Sequence, residues 1–359
     1  MNKKAVIMSA AVISAVATNV AFAGDNVPLR STVEAKGGIV NYDAVDKSVR
    51  VTYGTTKMKF IIGDKTITVN GSEISIGTSL VDGKTMISSE ALNTYLFGEN
   101  TKEVKKTDMA LNLINSFATG DTQVAEDTLK EDYIQHNLAY GTGRDSFVGS
   151  IEYLASAQTK TTVKNIRAFE DGDYVFLQNV YNFAGAGEQV AFDIFRFEDG
   201  RIAEHWDNLA TLAQPNPSGH TQIDGSMEIK DLDKTEENRV LINNFLFDVM
   251  QGNNSDKTLD YFQGDKYIQH NTGIADGVSG LGTALTALAN AGIDMIYNET
   301  HLVLAQGNYV LAVSEGTFGG APTSYYDLWR VENGKIAEHW DVMETIADEA
   351  TWANDNGKF

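Results

Sequence analysis

An internal repeat of 134 residues constrains the fold of this chain more than any other feature. RIAEHWD stands at 201–207 and KIAEHWD at 335–341, and the same offset carries His136 to His270 and Asp193 to Asp327. Phe147, Ile151 and Leu154 lie at helical spacing, and 134 residues on stand Leu281, Leu285 and Leu288. Apolar as well as polar positions keep the offset, so the chain holds two copies of one domain rather than a short motif used twice.

Each copy has the same internal order. An amphipathic helix opens it, with Met109, Leu113 and Phe117 in the first copy and Leu241, Phe245 and Val249 in the second. YIQHN follows, at 133–137 and 267–271, and then a second apolar helix, predicted over about 145–156 and 279–290. After it the period changes to that of strands: DYVFLQNVYNF, VAFDIFRF and RIAEHWDNL in the first copy, with Asp199-Gly200 and Asn333-Gly334 as hairpin turns. Helices first and an antiparallel sheet afterwards predict an α+β domain whose sheet wraps over its helices.

The copies are expected over 104–214 and 233–352, joined by a linker at 215–232 that has two prolines in its first half. Residues 24–100 are different, being rich in short β-branched runs with an Asn70-Gly71 turn, and predict a separate small β-rich domain. Residues 1–23 combine Lys3 and Lys4, an apolar run and an Ala21-Phe22-Ala23 end, the pattern of a secretory signal peptide, so a secreted or envelope-associated protein is expected. The net charge of −21, made more negative by loss of the two leader lysines, disfavours nucleic acid and anionic lipid as partners. No membrane association is expected once the leader is removed. With no cysteine, disulfides, thiolate chemistry and Cys-based zinc sites are excluded.

Alternation along a strand puts His205 and Asp207 on one face and Trp206 on the other, and likewise His339 and Asp341 around Trp340. Asp193 and Asp327 interrupt apolar strands, where a buried carboxylate needs a partner. His136 and His270 are candidates for that partner. Glu204 and Glu338, on the Trp face, are expected to meet solvent.

YIQHN, then DIFR or DLWR, then [RK]IAEHWD resemble the SnoaL-like polyketide cyclases and related predicted aldol-condensation proteins, a branch of the nuclear transport factor 2-like fold. The resemblance implies two tandem cones, each a curved antiparallel sheet around helices with a deep pocket. It implies that Asp207 and Asp341 are the catalytic acid/base, accompanied by His205 and His339, with Asn137 and Asn271 in the pocket. Such chemistry is intelligible on physical grounds: an aspartate in an apolar pocket becomes a usable base, and imidazole and amide N–H groups can hold an enolate oxygen, with no cofactor, metal or Schiff base required. His136, Asn137, Asp193, His270, Asn271 and Asp327 complete the expected pockets.

The opening segment VPLRSTVEAKGGIVNYDAVDKSVRV and ISSEALNTYLFG resemble the N-terminal domain found in copper amine oxidases and attached to many exported bacterial proteins. That resemblance implies an accessory or cell-wall-associated module. It brings no copper chemistry, since no histidine precedes His136.

Two further readings stand beside metal-free cyclase or aldol-type catalysis, which would make the protein a lyase or isomerase. One is non-catalytic binding of a small hydrophobic ligand, because fold does not imply function. The other is a 2-His-1-carboxylate metal site built from His136, His205 and an aspartate. In every case the partner is a small molecule, and the two copies are expected to pair as an intramolecular pseudo-dimer.

Overall fold

The computed structural model describes residues 26–98 and 105–359. The leader expected over 1–23 lies outside the described residues. The chain divides between residues 104 and 105 into two compact units, each described by itself.

The first unit is mainly β. It contains β1 (Asn26–Pro28), α1 (Leu29–Ala35), β2 (Ile39–Tyr42), β3 (Ser48–Tyr53), β4 (Thr56–Ile61), β5 (Ile67–Val69), β6 (Ser72–Ile74), β7 (Ser79–Val81), β8 (Lys84–Ser88) and α2 (Ser89–Leu92). Strands β2 to β6 form an antiparallel meander, and β1, β8 and β7 form a second sheet. Asn70 and Gly71, at φ 48° and 92°, close the β5–β6 hairpin in the left-handed conformation that such a tight turn demands. Leu29 and Val33 of α1 join Val51, Met58, Ile67 and Ile87 in one core.

The second unit holds two five-stranded sheets of the same design. Repeat 1 consists of α3 (Lys106–Thr119), α4 (Gln123–Thr128), β9 (Leu129–Gln135), α5 (Arg144–Ser156), β10 (Thr162–Asp171), β11 (Tyr174–Asn182), β12 (Gln189–Glu198) and β13 (Arg201–Thr211). Its strand order is β10-β11-β12-β13-β9, with β9 parallel to β13 and the rest antiparallel. Repeat 2 consists of α6 (Thr235–Phe245), β14 (Ile268–Gln269), α7 (Gly277–Asn290), β15 (Met295–Gln306), β16 (Tyr309–Phe318), β17 (Ala321–Glu332) and β18 (Lys335–Thr345). The order β14-β18-β17-β16-β15 repeats the first, again with a parallel outer pair. Bulges at Asn165/Arg167 and Arg196/Phe197, and at Tyr297/Glu299, Thr300/Leu302 and Arg330/Val331, bend both sheets.

The inner face of sheet 1 packs on helices: Leu113 and Ile114 of α3 and Phe147 and Ile151 of α5 meet Leu177, Ala191 and Phe195. Its outer face packs on the other sheet, where Phe176, Phe192 and Ile194 share one core with Leu311, Tyr326, Leu328 and Val342. Buried Asn208 stitches the sheets together, its amide donating to Ser324 O (2.9 Å) and Val342 O (2.8 Å).

The segment after each repeat lies on the other repeat. Asn216 donates to Gln269 O and Ile274 O of repeat 2 (2.6 and 2.9 Å), and Gly225, at φ 88°, has no room for a Cβ against Glu338 and Trp340. Residues 353–359 return to repeat 1, where Asn354 donates to Asn137 O and Tyr140 O (both 2.9 Å) and Asn356 to Gln135 O (2.9 Å). The 215–232 segment is therefore a docked strap rather than a loose tether, because its polar groups are satisfied on the surface it crosses.

Candidate active site

In both repeats two aspartates meet across the last hairpin. Asp193 is the register partner of Asp207 on β12 and β13, and Asp327 of Asp341 on β17 and β18, so each pair points to the inner face. His205 and His339, two residues before the second aspartate, share that face. In repeat 1, His205 Nε2 lies 3.2 Å from Asp193 Oδ1 and Nδ1 lies 3.1 Å from Gln135 Oε1. Asp193 Oδ2 accepts from Asn179 (2.7 Å) and Tyr181 (3.0 Å), while Asn137 Nδ2 donates to Asp207 Oδ2 (3.0 Å). Asp207 Oδ1 is buried without a protein partner.

Repeat 2 keeps the plan with altered supports. Gln269 Oε1 accepts the backbone N–H groups of His270 and Asn271 (both 2.9 Å), which identifies it as the amide oxygen. His339 Nδ1, 3.0 Å away, must then donate to it, and Nε2, 2.9 Å from Asp327 Oδ1, faces the carboxylate through a further proton. Burial alone would depress His339, but the hydrogen bond and charge of Asp327, with the charge of Asp341, outweigh it and hold the imidazole above its ordinary range. Burial raises the Asp341 carboxyl against the opposing charge of His339, with Asp327 adding to the rise, and Asn271 Nδ2 donates to its Oδ2 (2.6 Å). Asp327 Oδ2 accepts from Tyr297 (3.1 Å), whose hydroxyl burial and the charge of Asp327 push well above its usual value. Tyr297 comes from β15, whereas Tyr181 comes from β11, so the two repeats bring the same group to the same carboxylate from different strands.

His136 and His270 do not join these clusters. Gln135, His136 and Asn137 are consecutive, and alternation turns the Gln and Asn inward and the histidine outward. His136 stacks on Trp206 (4.7 Å, 8° between planes), its Nε2 bonded to Glu204 (2.9 Å) and its Nδ1 to Gly357 O (2.9 Å). His270 stacks on Trp340 (4.6 Å, 8°) and meets Glu338 (2.9 Å) and Thr221 O (2.8 Å). The expectation that these histidines partner Asp193 and Asp327 is therefore corrected, and so is the metal triad of His136, His205 and an aspartate, since the two rings lie on opposite faces of the sheet. Glu204 and Glu338 are not solvent groups either. Glu338 is buried, and although burial opposes it, the bonds from His270 and Arg330 hold its carboxyl below its ordinary range. Arg196 and Arg330 each donate to the matching glutamate at 2.6 Å. Among the described residues, the donor groups that do draw together within 4.8 Å are Asp193, His205 and Asp207, and separately His220, Asp224 and His270.

A cavity opens over each inner cluster, and the two differ in size. That of repeat 1 holds about 60 Å³ and that of repeat 2 about 700 Å³. Asn137, Asp193, His205 and Asp207 line the first, and Asn271, Asp327, His339 and Asp341 line the second. Gln135, Gln269, Tyr181, Tyr297 and Tyr267 also line them and were not singled out from the sequence. The two glutamines stand at the repeat offset within YIQHN, a signal that was available.

A family profile for the SnoaL-like domain matches residues 110–205. Residues 110–205 are a SnoaL-like domain. A second profile, that of the copper amine oxidase N-terminal domain, matches residues 21–108, so the resemblances read from the sequence hold for the first domain and for repeat 1. The expected α+β class with a β-rich first domain holds with them. No curated protein matches the chain. Among solved structures the chain is similar to TsrD from Streptomyces laurentii (20% identity, 28% of this chain and 87% of that one, TM-score 0.25). It is also similar to an NTF2-like protein of unknown function from Cytophaga hutchinsonii (20%, 29% and 88%, 0.25). A third is IdmH from Streptomyces antibioticus, a proposed polyketide cyclase (20%, 29% and 91%, 0.26). The SnoaL-like domain contains the whole inner cluster of repeat 1 except Asp207 and Leu209, which lie just past the matched span. Repeat 2 shares its sheet order and its site register.

Proposed function

We propose that this is an exported small-molecule protein whose SnoaL-like repeats pair as an intramolecular pseudo-dimer and whose site performs metal-free proton transfer of the cyclase or aldol-condensation type. The observation that carries the reading is Asp341: a carboxylate raised by burial, steadied by Asn271 and opening into an apolar cavity beside the His339–Asp327 pair. Asp327 is committed to His339, which leaves Asp341 as the free base. In this scheme Asp341 takes a proton from the carbon next to a carbonyl, and the electron pair moves onto the carbonyl oxygen to give an enolate. The Tyr267 hydroxyl lines the same cavity, accepts from Gln269 Nε2 (3.2 Å) and keeps its own hydrogen, which can be donated to that oxygen. The enolate carbon then attacks a second carbonyl, whose oxygen recovers the proton from Asp341.

The shared core of the two sheets and the Asn208 bonds support the pseudo-dimer. Export rests on the leader pattern of residues 1–23, and an accessory role at the cell wall for the first unit rests on its family.

The ring opening of 5-nitrobenzisoxazole tests the base without knowledge of the natural substrate. A base removes its C3 proton, the N–O bond breaks, and a coloured cyanophenolate forms. Asp341→Asn keeps the shape and removes the proton acceptor, so the protein-catalysed rate should fall about a hundredfold or more. An unchanged rate would exclude Asp341 as the base. A wild-type protein that binds the probe without opening it would favour the binding-only reading.

A further inference from the structure

The difference between the two cavities has a structural cause. In repeat 1 aromatic rings fill the cone: Phe117 stacks on Phe147 (4.9 Å), Phe183 stacks on Tyr181 (4.8 Å), and Phe147 and Ile151 of α5 are buried. At the repeat offset Phe147 becomes Leu281. On β16 the register runs one residue longer, because Leu177 faces Asp193 and Ala312 faces Asp327, so Tyr181 becomes Gly316 while Phe183 becomes Phe318, which lines the larger cavity. Helix α7 consequently lies over empty space. It carries no charged residue, yet the only buried residue in it is Gly277, and Leu285, the counterpart of fully buried Ile151, is 44% exposed. The polar floor follows suit, because Asn137 and Asp207 are buried whereas Asn271 and Asp341 are partly exposed, into the cavity they line. A space of about 60 Å³ over the polar cluster admits a few waters at most, and the adjoining cavity of about 510 Å³ at Tyr140, Ser150, Leu154 and Phe183 is lined by none of Asn137, Asp193, His205 and Asp207. One of about 700 Å³ lies in the range of organic-ligand sites.

We infer that ligand binding is confined to repeat 2, which takes one neutral, largely apolar organic molecule beneath α7 with a hydrogen-bonding oxygen at Asn271 and Asp341, while in repeat 1 the polar cluster is closed off and serves the structure. The apolar underside of α7, with Leu281, Ala284 and Leu288 toward the cavity, calls for an apolar occupant. Two carboxylates at the floor, in a chain of net charge −21, disfavour an anion. The inference rests on the small-molecule reading proposed above but not on catalysis.

Nile red, a neutral apolar dye with a ring carbonyl, is the probe. Fluorescence titration of the full chain should give one site per chain. Ala284→Phe, which fills the cavity of repeat 2, should weaken binding at least tenfold, and Ser150→Phe, at the equivalent place in repeat 1, should leave affinity and stoichiometry unchanged. Melting curves verify folding, and Ala284→Leu serves if the larger ring is not accommodated. Amide hydrogen exchange of α7 in the unaltered protein should slow on adding dye. Two sites per chain, or a single site lost in Ser150→Phe, would overturn this inference alone. Absence of saturable binding would overturn both it and the small-molecule reading. A dimer whose α7 exchange depends on protein concentration and ignores dye would show that a second copy covers the helix, which also overturns it.

Discussion

Asp327 and Asp341 stand directly opposite each other on β17 and β18, two carboxylates on the same face of one sheet. Side chains so paired come within about 5 Å, where like charges repel. The arrangement is tolerated because His339 and Tyr297 both bind Asp327, and Asn271 binds Asp341. Two chemically equal acids thus receive unequal surroundings.

Burial raises the Asp341 carboxyl, and a base works only when deprotonated. The rate of 5-nitrobenzisoxazole opening should therefore rise with pH through a midpoint above the ordinary aspartate value of 3.8. Folding stability should move the other way: the contribution of a raised carboxyl is fully present below 3.8 and is lost as pH rises through the folded value. Melting curves of Asp341→Asn and wild type should accordingly diverge in favour of the variant across that window and then run parallel.

His339 is also raised, chiefly because Asp327 outweighs burial, so its contribution is complete below 6.5 and is lost as pH climbs through the folded value. Asp327→Asn removes the partner. The expected cost is about 3–5 kcal/mol at pH 6, smaller at pH 9, read by denaturant unfolding at the two pH values. An equal loss at both would argue against a charged imidazole.

The reassignment of His136 separates structure from chemistry. His136→Ala removes the stack on Trp206 and the bonds to Glu204 and Gly357. It should lower stability by about 1–3 kcal/mol and leave probe turnover within twofold.

The straps can be tested singly. Asn216→Ala and Asn354→Ala each withdraw an amide from two carbonyls of the opposite repeat, and each should cost about 1–3 kcal/mol in melting or denaturant experiments.

Residues 104–214 expressed alone would bare the outer sheet face that carries Phe176, Phe192 and Ile194. Self-association or a large drop in melting temperature is expected by light scattering and calorimetry. A stable monomer with unchanged melting would count against the pseudo-dimer.

The inner cluster was legible because a strand has period two and the repeat has a constant offset. Those two facts alone place His205 beside Asp207 and pair Asp193 with Asp327. The same alternation applied to YIQHN would have turned His136 outward, but histidine chemistry outweighed geometry at that position. Tyr297 was hidden because it substitutes for a tyrosine on a different strand, so no offset connects them. The straps escaped for a related reason: Asn216 and Gly219 correspond to Asn354 and Gly357 at an offset of 138 rather than 134. The contrast between cavities depends on summed side-chain volumes, although the loss of a ring at Leu281 was visible in the sequence.

The crossed straps bear on how the chain comes into being on the ribosome. Repeat 1 is translated first, yet His136 and the carbonyls around Asn137 receive their partners from residues some 221 positions later. Until that stretch emerges, the nascent first half is left with an unfinished rim and an uncovered apolar sheet, the kind of intermediate that aggregates or recruits chaperones. Duplication of the ancestral domain has therefore tied the maturation of the earlier copy to completion of the later one.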